Sequence, residues 1–488
     1  MPHLRRTAVL AVATACVASL LAMGATASAA TVAAGEAQSC AVFTGGTLKC
    51  WGSNSFGSLG IGSTSSTPTA VPTQVVGLTS GVTDVRLAFS GGGSAGVGCA
   101  VVNGGARCWG RNGGNIGNGT SGGGVIAPVT PVGLDAGVTQ VSVSASDSAA
   151  LQNGVIKGFG GSSGKFAKQS LVPVAVGPPG GVAEIAEGWR HACYLLQTGG
   201  VACVGDNTNG QLGASGPGTA SAVAGLPGPA SRVAAGGDVS CAIVNGGVHC
   251  WGSDAFGQLG RGAPVSRGSS VPAPVAGLTT GVTDISASKN HTCVIKDGAA
   301  FCWGANASGQ LGDGTTNPAG SATPVQVKGL TGVTSIAVGR DHTCAVASGG
   351  VWCWGSNRDL QLGLASAGSG SPVPVLVDGV PTASIATTPL TIPARRQATL
   401  GTVACPASYG CRLVVPRVTA RIGGKAYVLT ILGRRSLGVG QKETLKVSLP
   451  QKAFDALKGR STQVRFTLGV VVAGQETPVA VKRTLRAR

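Results

Sequence analysis

Aromatic and charged residues are both scarce in this 488-residue chain. Phe, Trp and Tyr together make up 4% of it, and Asp, Glu, Lys and Arg together make up 11%. The apolar interior must therefore be built from Val, Ile and Leu with a few of the seven Trp, and not from aromatic clusters. The 82 glycines are expected to serve turns, where they adopt a positive φ at little steric cost.

Long apolar runs are absent beyond the first 30 residues. The longest later candidate, 468–473, is far shorter than the roughly 20 residues that a membrane-spanning helix requires. We therefore predict that the mature chain has no transmembrane span.

Residues 1–30 have the layout of a secretory signal peptide. Arg5 and Arg6 precede an apolar core, and an Ala-Ser-Ala-Ala ending follows it. Cys16 would suggest a lipoprotein, but the apolar run continues well past it and Ala13 matches a lipobox poorly. The sequence thus predicts export and removal of this segment.

Catalytic motifs are lacking as well. No Gly-x-Ser-x-Gly nucleophile motif lies between a strand and a helix. The segment 91–96 matches Gly-x-Gly-x-x-Gly, but no βαβ unit surrounds it, so we interpret it as an insertion in a loop. The sequence therefore predicts no enzyme and no cofactor, and an enzyme with an unrecognised site stays as an alternative.

What the chain does have is a repeat, clearest from His291 to Gly312, that recurs in edited form six more times. Its centre is a Trp-Gly step followed by x-Asn-x-x-Gly-Gln-Leu-Gly. Successive anchors lie 58, 50, 45, 47, 52 and 51 residues apart, a period typical of propellers and solenoids. The seven anchors are Trp51, Trp109, Phe159, Val204, Trp251, Trp303 and Trp354.

Six of the seven units carry two cysteines that flank a tight turn. In three units the midpoint is Asn-Gly or Asp-Gly, the strongest short hairpin signal. Counting outward from such a turn places the cysteines in a non-hydrogen-bonded pair with Cα atoms about 4.5 Å apart, which suits a disulfide. The predicted pairs are Cys40 with Cys50, Cys99 with Cys108, Cys193 with Cys203, Cys241 with Cys250, Cys293 with Cys302, and Cys344 with Cys353.

The exceptions to this spacing support the hairpin. Two pairs have one extra residue, and they place Gly46 and Gly199 where a three-residue turn needs a left-handed glycine. In the third unit Ala149 and Gly158 occupy both cysteine positions, as expected if the cysteines exist to bond each other.

The number of cysteines indicates an oxidising destination. Without Cys16, 14 remain, which are the six repeat pairs plus Cys405 with Cys411. Zinc binding is the alternative, but zinc clusters need four convergent ligands at short spacings, whereas each pair here belongs to its own hairpin. We therefore predict seven disulfides and no metal site.

Each unit contains the pattern of four short strands, A to D, with B and C forming the cysteine hairpin. Small residues dominate strand A, which suits the crowded centre of a ring. The sequence therefore predicts an all-β fold with a seven-bladed β-propeller over residues 31–388. A parallel β-helix is the main alternative, and the hairpins inside every unit argue against it. A further strand-like stretch, 383–386, is either a linker or helps to close the ring.

The Trp-Gly-x-Asn-x-x-Gly-Gln-Leu-Gly run and the His-x-Cys step at strand B resemble the regulator of chromosome condensation repeat family. The match is clearest at 251–260, 303–312 and 354–363, and the third unit has lost nearly every signature residue. The resemblance implies a seven-bladed propeller that binds proteins. The founding eukaryotic member is a nucleotide exchange factor for a nuclear GTPase, a partner that an exported protein would not meet. Related secreted bacterial propellers include a protein inhibitor of β-lactamase.

The composition changes near residue 389. The segment 389–488 has 18 Lys and Arg against 3 Asp and Glu, so it carries +15 of the formal charge of +18. Alternating apolar runs predict a small β-sandwich domain here, with one short helix at 451–457. Its charge suits polyanions such as anionic wall polymers, lipid head groups or nucleic acid, and an arginine-rich solvated surface without a partner is the alternative.

Three histidines, His191, His291 and His342, occupy the same repeat position. Equivalent positions in a propeller are spread around the ring, so we predict a structural hydrogen-bonding role for them and not a shared metal site.

Strand alternation places the A–B and C–D loops on one face of the ring and the B–C hairpins on the other. The hairpin turns are uniform, whereas the units differ in the loops of the first face, so we predict that this face binds a partner. That Trp189 packs between blades is the structural alternative. The candidate binding residues are Trp189, Arg190, Lys289, Asn290, Arg340 and Asp341.

The sequence as a whole predicts an exported, non-enzymatic binding or adhesion module, secreted or associated with the cell surface. The expected partner is a protein or a cell-envelope polyanion, and a nucleic acid is not expected. A secreted protein inhibitor of an extracellular enzyme is the main alternative, and exchange-factor activity of the kind found in the resembling family is a weaker one.

Overall fold

The computed structural model describes most of the chain from Thr31 onward. The predicted signal peptide, Cys405 and residues 91–95 of the insertion lie outside the described residues. The described residues are 31–43, 45–88, 96–161, 165, 169–178, 181–214, 221–262, 268–348, 350–364, 370–377, 382–384, 390–404, 411–414, 418–422, 425–433, 436–437, 442–472 and 475–487.

Seven four-stranded antiparallel sheets follow one another along the chain, and each is built from one consecutive stretch in the order A, B, C, D. The inner A strands are Thr31–Ala34, Val82–Leu87, Val138–Val143, Val182–Glu187, Ala230–Gly236, Val282–Ala287 and Val333–Val338. The B strands are Gln38–Phe43, Val97–Val102, Asp147–Gln152, His191–Leu196, Val239–Val244, His291–Lys296 and His342–Ala347.

The outer half of each sheet completes the blade. The C strands are Thr47–Asn54, Gly105–Arg111, Val155–Gly160, Val201–Gly205, Gly247–Gly252, Ala299–Asn306 and Gly350–Gly355. The D strands are Ser65–Gln74, Gly124–Val129, Ser170–Val176, Ser221–Ala222, Ser269–Pro274, Asn317–Gln326 and Ser371–Leu376. The prediction of a seven-bladed propeller is confirmed.

The hairpin turns have the backbone that their residues favour. Asn103 and Gly104 have φ values of 50° and 78°, and Asp297 and Gly298 have 51° and 74°. A positive φ at both central residues defines the type I′ turn, whose twist matches that of the flanking strands. The local sequence therefore sets the register of each B–C pair.

The cysteines of each repeat pair face each other across that register. Cys293 lies opposite Cys302, for example, and their Cα atoms are 4.1 Å apart. In all six repeat pairs the two sulfur atoms lie at bonding distance, from 2.03 to 2.14 Å. Each bridge thus clamps one hairpin.

The core of the ring lies in the seams between neighbouring blades. The cluster between the sixth and seventh blades, for example, joins Ile295 and Leu311 of one blade to Ile336 and Trp354 of the next. Five anchor tryptophans are completely buried in such seams. Truncating a side chain of this kind to Ala typically costs about 3 to 5 kcal/mol, so the anchors account for much of the cohesion between blades.

A repeated hydrogen-bond relay crosses these seams. The indole nitrogen of Trp354 and the hydroxyl of Thr343 both donate to the carbonyl oxygen of Gln310 in the preceding blade, each at 2.9 Å. His291 of that preceding blade reaches the same hydroxyl with Nε2 at 2.8 Å. Burial lowers the pKa of His291 to about 3, so its imidazole is neutral at physiological pH.

The first blade meets the seventh through the same kind of seam. Val32 N donates to Ser335 Oγ at 3.3 Å, and His342 Nε2 lies 3.0 Å from Ser39 Oγ. Trp51 donates to the carbonyl oxygen of Gln361 at 2.9 Å. Among the described strands, the ring therefore closes without any strand being shared between the first and last blades.

Two five-stranded sheets follow the propeller, as a β-sandwich requires. In spatial order, one sheet contains Thr382–Ser384, Gln397–Ala404, Lys442–Ser448, Lys425–Leu432 and Val418–Ile422. The other contains Leu390–Ile392, Gln475–Ala487, Ser461–Val472, Cys411–Val414 and Ser436–Leu437. The strand Thr382–Ser384, from the stretch that the sequence left open as linker or ring closure, thus belongs to these sheets and not to the ring.

Helices are few and short in the described part of the chain. The α-helix Gln451–Leu457 occupies the predicted position, and a 3-10 turn occupies Ser55–Gly57. Within the described residues, no helix has the length and apolar character needed to cross a membrane.

Candidate functional site

The A–B loops of neighbouring blades are hydrogen-bonded to one another on one face of the ring, which we call the loop face. Trp189 N donates to Gly237 O of the next blade at 2.9 Å, and Arg340 N donates to Gly35 O at 3.1 Å. Short loops tied together in this way hold their side chains on a firm support. Rigid scaffolds that present loops are a common basis of recognition.

Trp189 carries two cations on this face. Its side chain is only partly buried, the Arg190 guanidinium carbon lies 4.9 Å from its ring centre, and Lys289 Nζ lies 5.5 Å from it. Cation–π contacts at such distances stabilise by about 0.5 to 1 kcal/mol at exposed sites. Three of the six predicted binding residues therefore meet at one place, although they come from the fourth and sixth blades.

Glycine in the fifth blade makes this meeting possible. The A–B loop there contains Gly237, with a φ of 33°, and a Cβ atom added to it would lie 2.5 Å from the Cα of Lys289. A residue with a side chain would displace the lysine from its path to Trp189. Gly237 thus allows Lys289 of the sixth blade to reach Trp189 of the fourth across the fifth blade.

Acidic groups balance these cations. Burial raises the pKa of Asp238, the charge of Asp206 raises it further, and Lys289 and Arg190 oppose the shift. Asn209 Nδ2 lies 3.4 Å from Asp238 Oδ2. We use the name Trp189 patch for the loop-face surface formed by Trp189, Arg190, Asp238, Phe256 and Lys289.

Phe256 was missed by the sequence-based prediction. Its side chain is 43% exposed, and its N–H donates to Gln258 Oε1 at 2.7 Å. The amide nitrogen of Gln258 in turn lies 3.5 Å from the carbonyl oxygen of Lys289, which places Phe256 beside the cluster. Phe56, 45% exposed, occupies the same repeat position in the first blade. Comparing the fifth residue after each anchor would have revealed both.

The other predicted residues form a second cluster where the seventh and first blades meet. Arg340 Nη1 lies 2.6 Å from Glu36 Oε1, and its Nε lies 3.1 Å from Asp341 Oδ2. Burial raises the pKa of Asp341, and the charge of Arg340 opposes the shift. Asn290 hydrogen-bonds the Asp341 side chain and so connects the two clusters.

Polar side chains at one equivalent position of the A strands form a ring, and five of the seven line the central channel, which has a volume of about 320 Å³. Members of the ring bond to the next blade: Asp84 Oδ2 accepts from Val141 N at 3.2 Å, and Glu184 Oε2 accepts from Val233 N at 3.2 Å. Arg232 bridges Glu184 and Asp284 at 3.5 and 3.0 Å. The seven members, one from each A strand, are Thr31, Asp84, Gln140, Glu184, Arg232, Asp284 and Ser335.

This channel bears on the enzyme alternative, because clustered acids or a metal site in the channel would favour it. Acids do cluster in the channel, but arginines pair with them, since Arg86 lies 3.2 Å from Asp84 and Arg232 holds Glu184 and Asp284. Among the described residues, no group of three or more His, Cys, Asp and Glu side chains is arranged to hold a metal ion. The ion pairs of Arg232 connect the A strands of three successive blades.

Family models match much of the propeller. A model described as "Regulator of chromosome condensation (RCC1) repeat" matches 46–95, 245–295, 297–346 and 348–387. A second model with the same description matches 29–58, 182–211, 282–310 and 333–361.

Two human proteins are similar to parts of this chain. The human "Probable E3 ubiquitin-protein ligase HERC6" is 32% identical over 213 residues, which are 41% of this chain and 20% of that protein, so the chain spans about a fifth of its length. The crystal structure of human WBSCR16 superposes with a TM-score of 0.59 at 22% identity, covering 68% of this chain and 93% of that one.

Yeast Prp20p has the same architecture. Its crystal structure, from Saccharomyces cerevisiae, gives a TM-score of 0.59 at 16% identity and covers 88% of this chain and 94% of that one. That structure was described together with the binding properties of Prp20p to Gsp1p and histones. At these identities the two structural likenesses concern the fold alone, and the repeats themselves carry the relationship. The chain contains regulator of chromosome condensation (RCC1) repeats within its propeller.

Proposed function

We propose that this protein is a non-enzymatic binding module that recognises a protein partner through the Trp189 patch. The observation that carries the proposal is a partly exposed tryptophan with two cations on its ring, held on hydrogen-bonded loops. Trp and Arg are enriched among the residues that dominate protein interfaces. Phe256 adds apolar area beside them.

The scaffold supports this role because little of the patch has to be ordered on binding. The Trp189 and Arg340 loops are each bonded to a neighbouring loop, and the hairpins behind them are clamped by disulfides. A preformed surface avoids most of the entropy cost of fixing side chains, which is about 0.5 to 1.5 kcal/mol for each mobile side chain.

A protein partner agrees with what is known of a structural neighbour, since Prp20p has described binding properties to Gsp1p and histones. The partner of this chain should be a different protein, because the predicted export would separate the chain from nuclear proteins. We propose that it acts outside the cell or at the cell surface, because disulfides persist in oxidising surroundings and six cysteine pairs lie at bonding distance.

The basic C-terminal segment supplies a second candidate activity, adhesion to a polyanion of the cell envelope. The +15 charge of 389–488 favours it. Inhibition of an extracellular enzyme remains the alternative for the propeller itself, and it differs in needing no basic segment and in giving a tight one-to-one complex.

The decisive experiment captures partners of the mature protein from cell-envelope and culture-supernatant fractions, identifies them, and titrates each purified partner. The double variant Trp189→Ala/Arg190→Ala should raise the Kd by at least about 30-fold, as expected for loss of a hot spot of about 2 kcal/mol. Its Tm should stay close to that of the unaltered protein.

The control is Phe56→Ala, which removes an exposed aromatic side chain of the loop face from the first blade. Its affinity should be unchanged. If this control weakens binding and the double variant does not, the partner binds another sector of the loop face and the proposal is wrong.

A further inference from the structure

The seam between the third and fourth blades differs from the other six. Elsewhere among the described residues, at least one side chain of the following blade donates to the carbonyl oxygen at the Gln position of the preceding one. At this seam the hydroxyl position holds Ala192 and the anchor position holds Val204, neither of which can donate. The histidine position holds Asp147. One such donor at each of the six seams is, in chain order, Trp51, Trp109, Ser148, Trp251, Trp303 and Trp354.

Lys165 joins the two blades instead. Its Nζ lies 2.8 Å from Ser144 Oγ and 3.6 Å from Asp147 Oδ2 in its own blade. The same atom lies 3.3 Å from Glu187 Oε2 and 3.2 Å from the Gly188 carbonyl oxygen in the next blade. The side chains of Lys165, Asp147 and Glu187 are completely buried. An ionic joint therefore stands where the other seams use neutral donors.

This joint reaches the loop that carries Trp189. Glu187 and Gly188 are the two residues directly before the tryptophan, and Lys165 holds the side chain of one and the backbone of the other. Two amides of this loop are bonded in turn, Gly188 N to His191 O at 2.9 Å and Trp189 N to Gly237 O at 2.9 Å. A displacement of Lys165 would therefore loosen the base of the Trp189 patch.

The apolar packing at this seam has Val204 at the anchor position, where five of the other seams have a buried tryptophan. Its buried cluster contains small and medium side chains around Tyr194 and has no anchor tryptophan, and the third blade lacks the hairpin disulfide because Ala149 and Gly158 stand at those positions. Burial raises the pKa of Glu187 to about 7, with the Lys165 charge opposing and the Asp147 charge adding to the shift. The charge of Lys165 thus stabilises the ionised form of this buried carboxylate.

We propose that Lys165 is a positioning residue, which fixes the Glu187–Trp189 loop and so presets the patch for its partner. The significance of the loop rests on the proposed binding function, whereas its dependence on Lys165 does not. The third blade has thus exchanged the repeat signature for a side chain that serves the blade beside it.

Amide hydrogen exchange of the full mature chain tests this without any partner. In Lys165→Met, which keeps the length of the side chain and removes its charge, exchange at Gly188 and Trp189 should accelerate by about tenfold or more, as local opening becomes easier. The matched reporters are the equivalent amides of the seventh blade, Gly339 N to His342 O at 2.9 Å and Arg340 N to Gly35 O at 3.1 Å. They should exchange at their original rates.

Two further variants keep the outcome decisive. Lys165→Met/Asp147→Asn/Glu187→Gln removes all three charges, so it leaves no unpaired buried charge and should fold even if the single variant does not. It should still exchange faster at the two Trp189-loop amides. His342→Gln should accelerate exchange at the seventh-blade reporters and leave exchange at Gly188 and Trp189 unchanged. Unchanged exchange at Gly188 and Trp189, or an equal acceleration at both sets of reporters, would overturn the proposal. Failure to find a partner at the patch would refute the binding function and leave this result standing.

Discussion

Lys289 Nζ lies 5.5 Å from the ring centre of Trp189, although one residue belongs to the sixth blade and the other to the fourth. The two meet above the fifth blade because the loop beneath them contains Gly237. A surface of this kind is a property of the ring and not of any single repeat. It is also the feature that most directly supports a binding role.

Replacement of Gly237 by Ala should disturb this contact. The new Cβ would meet the Lys289 backbone at 2.5 Å, so either the loop or the lysine must move. We expect a loss of about 1 to 3 kcal/mol in the free energy of unfolding, from the clash together with the strained φ. Chemical denaturation measures it.

The control for that substitution is Gly225→Ala. Gly225 also has a positive φ, 82°, but nothing lies within 4 Å of its added Cβ. Its cost should be limited to the backbone term of about 1 kcal/mol. Equal losses in both variants would mean that Lys289 is free to move aside.

Seven intra-hairpin or intra-loop disulfides are expected in the mature protein, the seventh joining Cys405 and Cys411. Replacing both Cys293 and Cys302 by Ala should lower the free energy of unfolding by about 2 to 3 kcal/mol, the entropy of closing a loop of that length in the unfolded chain. Peptide mapping under non-reducing conditions checks the pairing. Free thiols, or bridges between different units, would contradict it.

Acid should destabilise the propeller through its buried histidines. Burial lowers the pKa of His191 and of His291 to about 3, and that of His342 to about 4, from an ordinary 6.5. The unfolded chain therefore binds more protons below pH 6.5, and folding stability is lost as the pH falls from there. In His342→Gln, the loss between pH 7 and pH 5 should shrink by about 2 kcal/mol.

Glu187 acts with the opposite sign in part of the same range. Its pKa is raised from 4.5 to about 7, so the folded state holds its proton longer and the associated stability is lost as the pH rises between those values. Glu187→Gln should therefore make the protein more acid-sensitive between pH 7 and pH 5, whereas His342→Gln makes it less so. Denaturation curves at the two pH values distinguish them, and identical pH dependence in all three proteins would refute both assignments.

The basic segment should anchor the protein to envelopes through its charge. Binding of the mature chain to isolated cell envelopes should weaken steeply as salt rises from about 0.05 to 0.5 M, since the Debye length falls from about 10 Å near 0.1 M to about 3 Å at 1 M. A chain that ends near Ala386 should bind far less. Equal binding of the shortened and full chains would show that the segment is not an anchor.

Hairpins, turns and blade count could be predicted from the sequence because they rest on contacts between near neighbours. Cys293 and Cys302 are nine residues apart, and Asp297 with Gly298 fixes the turn between them. Repetition then multiplies one local solution by seven. The short helix Gln451–Leu457 was equally readable from its own residues.

Contacts across seams could not be predicted in the same way. Lys165 meets Glu187 only because blades three and four stand side by side. Arg340 meets Glu36, 304 positions away in the sequence, only because the ring closes. The sequence of the third unit alone shows only that the repeat signature is lost. The role of Lys165 becomes clear only beside Ala192 and Val204 of the next unit, which cannot donate hydrogen bonds. The polar ring of the channel was hidden likewise, because each unit contributes just one member.

The closure of the ring without a shared strand means that no position along the propeller is a privileged beginning. Every sheet takes its four strands from one uninterrupted stretch, and the seam between the seventh and first blades has the same relay as the seam between the sixth and seventh. The chain could therefore begin in any of the loops that join two neighbouring blades. A circularly permuted propeller that starts at Val82 and finishes at Gln74 would retain all seven ladders intact.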